Sequence, residues 1–191
     1  MIRTNTAFLD FILANQDRYP KSLVQELSIE KGHKLIRQRS LVNAVSIINE
    51  GIAKCYLYQD DGTDFILEFF GPGEVVGEIE MLNNEFSFAA VEALTPMTVL
   101  RLTRDRFIEL LTKDPVFNNH VLKLLAGKVK YKATRFSFTQ THTLEQTLTK
   151  MLEDMPDLLE VISKKDLVSY LGITKRSLNR TLKNLKEQGH I

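Results

Sequence analysis

Residues 163–191 read SKKDLVSYLGITKRSLNRTLKNLKEQGHI, and the fold of the chain is decided there. The pattern predicts two short helices with a tight turn between them. Ser163 is the N-cap of the first, and Asp166, three residues on, favours its first-turn amides. Leu167, Val168 and Leu171 give one apolar face at helical spacing. Gly172 ends that helix, where a residue often needs a positive φ. Thr174 caps the second helix, Leu178, Leu182 and Leu185 follow at i, i+4 and i+7, and Gly189 offers a stop.

The opposite face of the second helix carries the chemistry. Lys175, Arg176, Asn179, Arg180 and Lys183 share one exposed side. Basic forks reach guanine edges or phosphates, and an Asn amide can pair bidentately with adenine. The hydroxyls of Thr174 and Ser177 can serve either. This is the layout of a helix-turn-helix whose second helix lies in the major groove. The plainer reading is a solvated basic helix packed on a core. Cap, glycine turn, second cap and polar face in one register favour the helix-turn-helix.

Outward from that stretch, charge separates the chain into two parts. From Ser163 onward there are seven basic residues against Asp166 and Glu187, about +5 locally, whereas the whole chain carries only +1. A basic module on a mildly acidic body suits a nucleic-acid partner. With 191 residues, 43% hydrophobic and 26% charged, the composition is that of an ordinary globular protein of one large or two small domains. Cys55 is the single cysteine, which excludes an internal disulfide and four-cysteine zinc or iron–sulfur sites; a buried structural thiol is its expected role. No signal peptide is evident, and the run 122–129 is too short and too interrupted by lysines to span a membrane, so no membrane partner and a cytoplasmic location are expected.

Residues 1–27 read as one or two short helices, with Phe8, Phe11 and Ile12 on one face and Leu23, Val24 and Leu27 on another, separated by Pro20. From Ser28 to Leu102 short apolar runs alternate with turn signals, as in a β-sandwich or roll. Expected strands are 44–48, 52–58, 65–70, 75–81, 88–94 and 97–102, with turns at Lys31-Gly32, at Asp60-Asp61-Gly62 and at Gly71-Pro72-Gly73-Glu74. From Arg104 the chain is helical again: a short helix over 105–111, then a long one opened by Pro115. Leu122, Leu125, Val129, Lys132 and Phe136 fall at steps of 3, 4, 3 and 4, a coiled-coil-like seam flawed at Lys132. A helix packed on its own domain could show that stripe. The seam runs about four turns past the roll, which favours a partner helix and a symmetric dimer. Residues 138–143 read as a hinge, and 144–152 as a helix packed on the helix-turn-helix.

This order of parts resembles the cAMP-receptor/FNR-like (Crp/Fnr) family of bacterial transcription regulators over nearly the whole chain. The motifs that carry it are Gly51, Asp61-Gly62, residues 70–78 (FGPGEVVGE), residues 89–93 (AAVEA), and Asp166-Leu167 through Gly189. The resemblance implies an α+β fold in three parts. These are a cyclic-nucleotide-binding-like β-roll over 1–112, a dimerisation helix over 113–139 and a winged-helix type helix-turn-helix domain over 140–191. The chain stops at Ile191, where the family continues into a β-wing, as a truncated chain would. Lys175, Arg176, Asn179 and Arg180 carry over as base-facing positions. Duplex DNA with a palindromic operator, a second copy of the chain and RNA polymerase are the implied partners, and no cofactor is implied.

One departure bears on the effector. In members that bind cyclic nucleotides, a Gly-Glu pair opens a segment ending in an Arg beside Ser or Thr, and that Arg neutralises the cyclic phosphate. Here Gly77-Glu78-Ile79 is present, but Ser87-Phe88 stands where Arg is expected, and no Arg or Lys lies between Glu74 and Leu100. A buried phosphate without a cation is costly, so the expected pocket is filled by Phe86 or Phe88, or takes an uncharged ligand. Glu78 as a polar roll residue facing water or a backbone amide is the alternative. Enzyme chemistries find less support: His33, His120, His142 and His190 have no ligand spacing, Ser163, Ser169 and Ser177 lie in no nucleophile elbow, and Gly71-Pro72-Gly73 is too short for a phosphate loop. An alternative from another class is a nucleotide- or small-molecule-sensing subunit that docks a protein partner through its basic helix.

Overall fold

The structure, a computed structural model, describes residues 2–15, 17–20, 23–60 and 62–189. Asp61 of the expected 60–62 turn, His190 and Ile191 therefore lie outside the described residues. Helix α1 (Thr6–Ala14) leads into the roll strands β1 (Gln25–Ile29), β2 (Lys34–Ile36), β3 (Ala44–Glu50), β4 (Ala53–Tyr58), β5 (Asp64–Phe70) and β6 (Val75–Val76). After helix α2 (Glu78–Asn83) come β7 (Ala90–Ala93) and β8 (Met97–Thr103). The strands form two antiparallel four-stranded sheets, ordered β1-β8-β3-β6 and β2-β7-β4-β5. Ile47, Ile48, Val75, Val99 and Leu102 close the roll interior. The second sheet buries apolar side chains on both faces. Val91 and Ala93 of β7 point into the roll, whereas Ala90, with Tyr56, Ile66 and Phe69, faces a separate core shared with the C-terminal helices.

That second core explains why the roll and the helical end form one packed unit. It gathers Leu148, Met151, Leu158, Ile162, Leu167, Leu178 and Leu185, all almost fully buried. Burial of each such side chain contributes about 1.5–3 kcal/mol. The helices are α3 (Arg104–Lys113), α4 (Pro115–Thr141), α5 (Leu144–Asp154), α6 (Leu158–Val161), α7 (Lys164–Leu171) and α8 (Lys175–Glu187). Asp114 caps α4 by accepting hydrogen bonds from the N–H groups of Val116 and Phe117, at 3.0 and 3.1 Å. Thr143 and Gln146 form a reciprocal capping box at the start of α5.

Four expectations differ from the observed elements. Leu23, Val24 and Leu27 do not make a second N-terminal helix; Leu27 lies in β1, paired with Val99 of β8. Long-range pairing overrides the local pattern there. The run 75–81 is strand only over Val75–Val76 and then turns at Gly77 into α2. Gly77 has φ +93°, and a Cβ there would lie 2.7 Å from the Ala44 carbonyl oxygen, so the corner requires glycine. The hinge is shorter than 138–143, because α4 continues to Thr141 and only His142 and Thr143 separate it from α5. Phe86 and Phe88 do not fill a pocket: they are 63% and 70% exposed.

Candidate nucleic-acid interface and effector cavity

The helix-turn-helix forms as its residues dictate. Ser163 Oγ accepts from the Asp166 N–H at 3.1 Å, and Gly172 takes a left-handed conformation at φ 64°. Thr174 Oγ1 then accepts from the Ser177 N–H at 3.1 Å and opens α8. Leu178, Thr181, Leu182 and Leu185 form the buried side of α8. Lys175, Arg176, Asn179, Arg180 and Lys183 are exposed together on the other. Lys164 Nζ donates to Asn179 Oδ1 at 3.3 Å, which adds the start of α7 to the same basic face. The Thr174 hydroxyl donates to Ser177 Oγ at 3.1 Å, which leaves the Ser177 O–H available as a donor.

Helix α4 has two working faces. Phe117, Val121, Leu124 and Lys128 are buried against the roll and α1. Leu122, Val129 and Phe136, spaced by seven, are 60%, 70% and 68% exposed. Leu125 lies between the faces, half-buried against the roll core.

A cavity of about 730 Å³ opens between the roll and α4. Of the residues singled out in the sequence for an effector pocket, Gly77, Glu78, Ile79 and Phe88 line it and Ser87 lies outside it. The Ser87 hydroxyl instead donates to the Arg37 carbonyl and accepts from the Ser40 N–H at 3.0 Å, fastening the connection between β2 and β3. The cavity also holds cations that no residue between Glu74 and Leu100 supplies. Lys128 of α4 pairs with Glu78 and, at 2.8 Å, with Glu74, and donates to the Val75 carbonyl at 2.6 Å. Arg3 lies 2.8 Å from Glu74 and 3.6 Å from Glu68. Arg135 pairs with Glu68 at 3.8 Å, donates to the Leu67 carbonyl, and lies 4.2 Å from the centre of the Tyr170 ring of α7. Burial works against the charge on Lys128, but Glu78 and Glu74 outweigh it and raise its pKa. Burial likewise pushes the Glu74 carboxyl up, more than its cations lower it. Among the described cavity residues, Lys132 carries a charge with no ion-pair partner. The Cys55 thiol also lines the cavity; burial, with Glu68 adding to it, pushes it up to about 12, so it stays protonated at neutral pH.

Sequence reading missed this cluster because its partners are far apart along the chain: 50 residues separate Glu78 from Lys128. One local signal existed. Lys128, Lys132 and Arg135 recur at helical spacing within an apolar stripe, where a buried lysine requires a carboxylate partner. No group of His, Cys, Asp and Glu among the described residues is arranged to hold a metal ion, and no helix there is long and apolar enough to cross a membrane.

The match to the cyclic nucleotide-binding domain family spans residues 26–114. A protein named "probable transcriptional regulator flp" from Lacticaseibacillus casei is 28% identical over 87% of this chain and 78% of its own length. The cyclic AMP receptor protein of Thermus thermophilus is 23% identical over 88% and 80%. The solved structure of FixK2 from Bradyrhizobium japonicum superposes with a TM-score of 0.72, at 21% identity, over 87% of this chain and 86% of that one. A roll that ends in a long helix and a helix-turn-helix, matched along most of its length by proteins named as transcription regulators, makes the chain similar to the Crp/Fnr family of transcription regulators.

Proposed function

We propose that the chain is a homodimeric, sequence-specific regulator that reads a palindromic operator with the exposed face of α8 and does not respond to cAMP. The observation that carries the DNA reading is the free basic face of α8, whose apolar side is fully used in the shared core. Arg176, Asn179 and Arg180 sit toward the N-terminal part of α8, where major-groove helices meet base edges, and Lys164, Lys175 and Lys183 flank them for phosphate. The exposed stripe Leu122, Val129 and Phe136 supplies the dimer contact. Glu78, which would hold the ribose of a cyclic nucleotide, is already bonded to Lys128, and Arg3 and Arg135 are committed to Glu68 and Glu74. The groups a cyclic nucleotide would need at the polar end of the cavity are thus already paired with one another, Lys132 apart.

Selection of bound duplexes from a random pool tests the reading. The expected result is enrichment of a palindrome whose binding weakens steeply with salt. Salt-insensitive binding, or no enriched sequence, overturns it.

A further inference from the structure

Lys54 of β4 is buried, with 8% of its surface exposed, at the contact between the roll and α7. Its ammonium lies 3.4 Å from Asp166 of α7, 3.6 Å from Glu92 of β7 and 3.8 Å from Asp64 of β5. Three carboxylates from three elements therefore converge on one cation, and only Asp166 belongs to the helix-turn-helix. Beside them Ser169 of α7 donates to the Asp64 carbonyl at 2.6 Å and accepts from the Ile66 N–H at 2.9 Å, so α7 lies along the edge strand β5. Tyr56 completes the surroundings: Lys54 lies 4.9 Å from its ring centre, and its hydroxyl donates to Glu92 at 2.9 Å. Without Lys54 the three carboxylates would face one another in a half-dry site, and their repulsion would act between α7 and the roll.

We propose that Lys54 is a positioning residue for the recognition helix: by gathering Asp64, Glu92 and Asp166 it fixes α7 on β5, and so sets the separation at which two copies present α8 to an operator. This rests on the reading of α8 as the DNA-contacting helix and of α4 as the dimer helix. The Gly172 turn and the core shared by Leu167 and Leu178 join α7 to α8, so an α7 held on the roll holds α8 at a set distance from α4. Lys54 touches no base; its effect is on which spacing of half-sites is accepted.

The test uses the full chain, the operator enriched from the random pool, and duplexes with one or two base pairs inserted between its halves. The quantity read is the ratio of affinities for native and lengthened spacing. Lys54→Met is expected to lose about tenfold on the native spacing and less on the lengthened ones, so that the ratio falls toward one. Asp166→Asn, which removes the charge tie between Lys54 and α7 and keeps an amide oxygen as acceptor for the Ser163 hydroxyl, is expected to lose about threefold on the native spacing. Lys54→Met combined with Asp166→Asn should bind no worse than Asp166→Asn alone, because one of the repelling charges is gone. Lys54→Arg should keep the ratio of the unmodified chain. An unmodified ratio in Lys54→Met, or losses that simply add in the double variant, would overturn the proposal. Should Lys54→Met not fold, Asp166→Asn decides alone: an unchanged ratio overturns it. Absence of any sequence-specific binding by the unmodified chain would instead remove the DNA reading, and this inference with it.

Discussion

Arg180 stands exposed on α8, one turn from Arg176, with no ion-pair partner among the described residues, whereas Lys183 lies 3.6 Å from Glu187 of its own helix. A free guanidinium can fork onto a guanine edge; a lysine already shared with a carboxylate contributes mainly phosphate attraction. Arg180→Ala is therefore expected to cost about 1–3 kcal/mol of specific binding and to relax one base preference. Lys183→Ala should weaken all sequences about equally. Affinities measured on the operator and on single-base variants separate the two, and an Arg180→Ala protein with unchanged preference would remove Arg180 from the groove. At this scale the sequence was informative wherever the signal is local. The caps Ser163 and Thr174 and the turn at Gly172 are each set by neighbours within four residues, and they form as read. Lys128 was not legible, because its need for Glu74 and Glu78 is met across a packing interface.

Helix α4 is held at its start by Asp114, which accepts from Tyr19 at 2.8 Å and from Arg18 at 2.6 and 2.8 Å besides capping the helix. Burial acts to raise its pKa, but the Phe117 N–H, the Tyr19 hydroxyl and the Arg18 guanidinium outweigh it and hold the carboxyl below the usual aspartate range. A depressed folded pKa contributes stability above the unfolded value, and that stability is lost as pH falls through the folded pKa. Asp114→Asn should cost roughly 1–2 kcal/mol at neutral pH, since Arg18 is half exposed and partly screened. The deficit should close as pH drops below the ordinary aspartate value, where the unmodified chain also loses its charge. Chemical denaturation across pH measures this, and a constant deficit would contradict it. Further along α4, Val129→Lys is expected to shift the protein toward monomer and weaken operator binding, with the roll's melting temperature unchanged, because Val129 is 70% exposed in the single chain. Sedimentation in dilute solution reads it; an unaltered dimer places the contact elsewhere. Leu125→Lys would be a poorer probe, since Leu125 also packs on its own roll. The heptad reading gave Leu125 and Val129 one role, whereas Leu125 packs in part on its own roll and Val129 stands exposed, because a 3.5-residue repeat looks alike on either face.

Across the whole molecule, one charge cluster joins three regions: Arg3 before α1, the roll carboxylates Glu68, Glu74 and Glu78, and Lys128 and Arg135 of α4. Calorimetric titration of cAMP is expected to show no binding at micromolar concentration, because a cyclic phosphate must displace Glu78 or Glu74 from Lys128 or settle on Lys132 alone. Micromolar affinity would show that the internal pairs yield to a ligand. The order of parts was legible because turn glycines, caps and the basic face are local; the cavity's cations were not, because a roll and a helix distant in sequence build it together. The 27 residues of α4 also have a mechanical meaning. At 1.5 Å per residue they make a rod of about 40 Å. A tilt of about 5° where the rod meets the roll would swing its far end by about 3.5 Å, close to the ~3.4 Å rise of one base pair along a DNA strand. If α8 reads DNA as proposed, angular play too small to disturb the roll's packing is thus enough to put it out of step with its half-site, and such a long rod would deliver α8 in register only if it is braced at both ends.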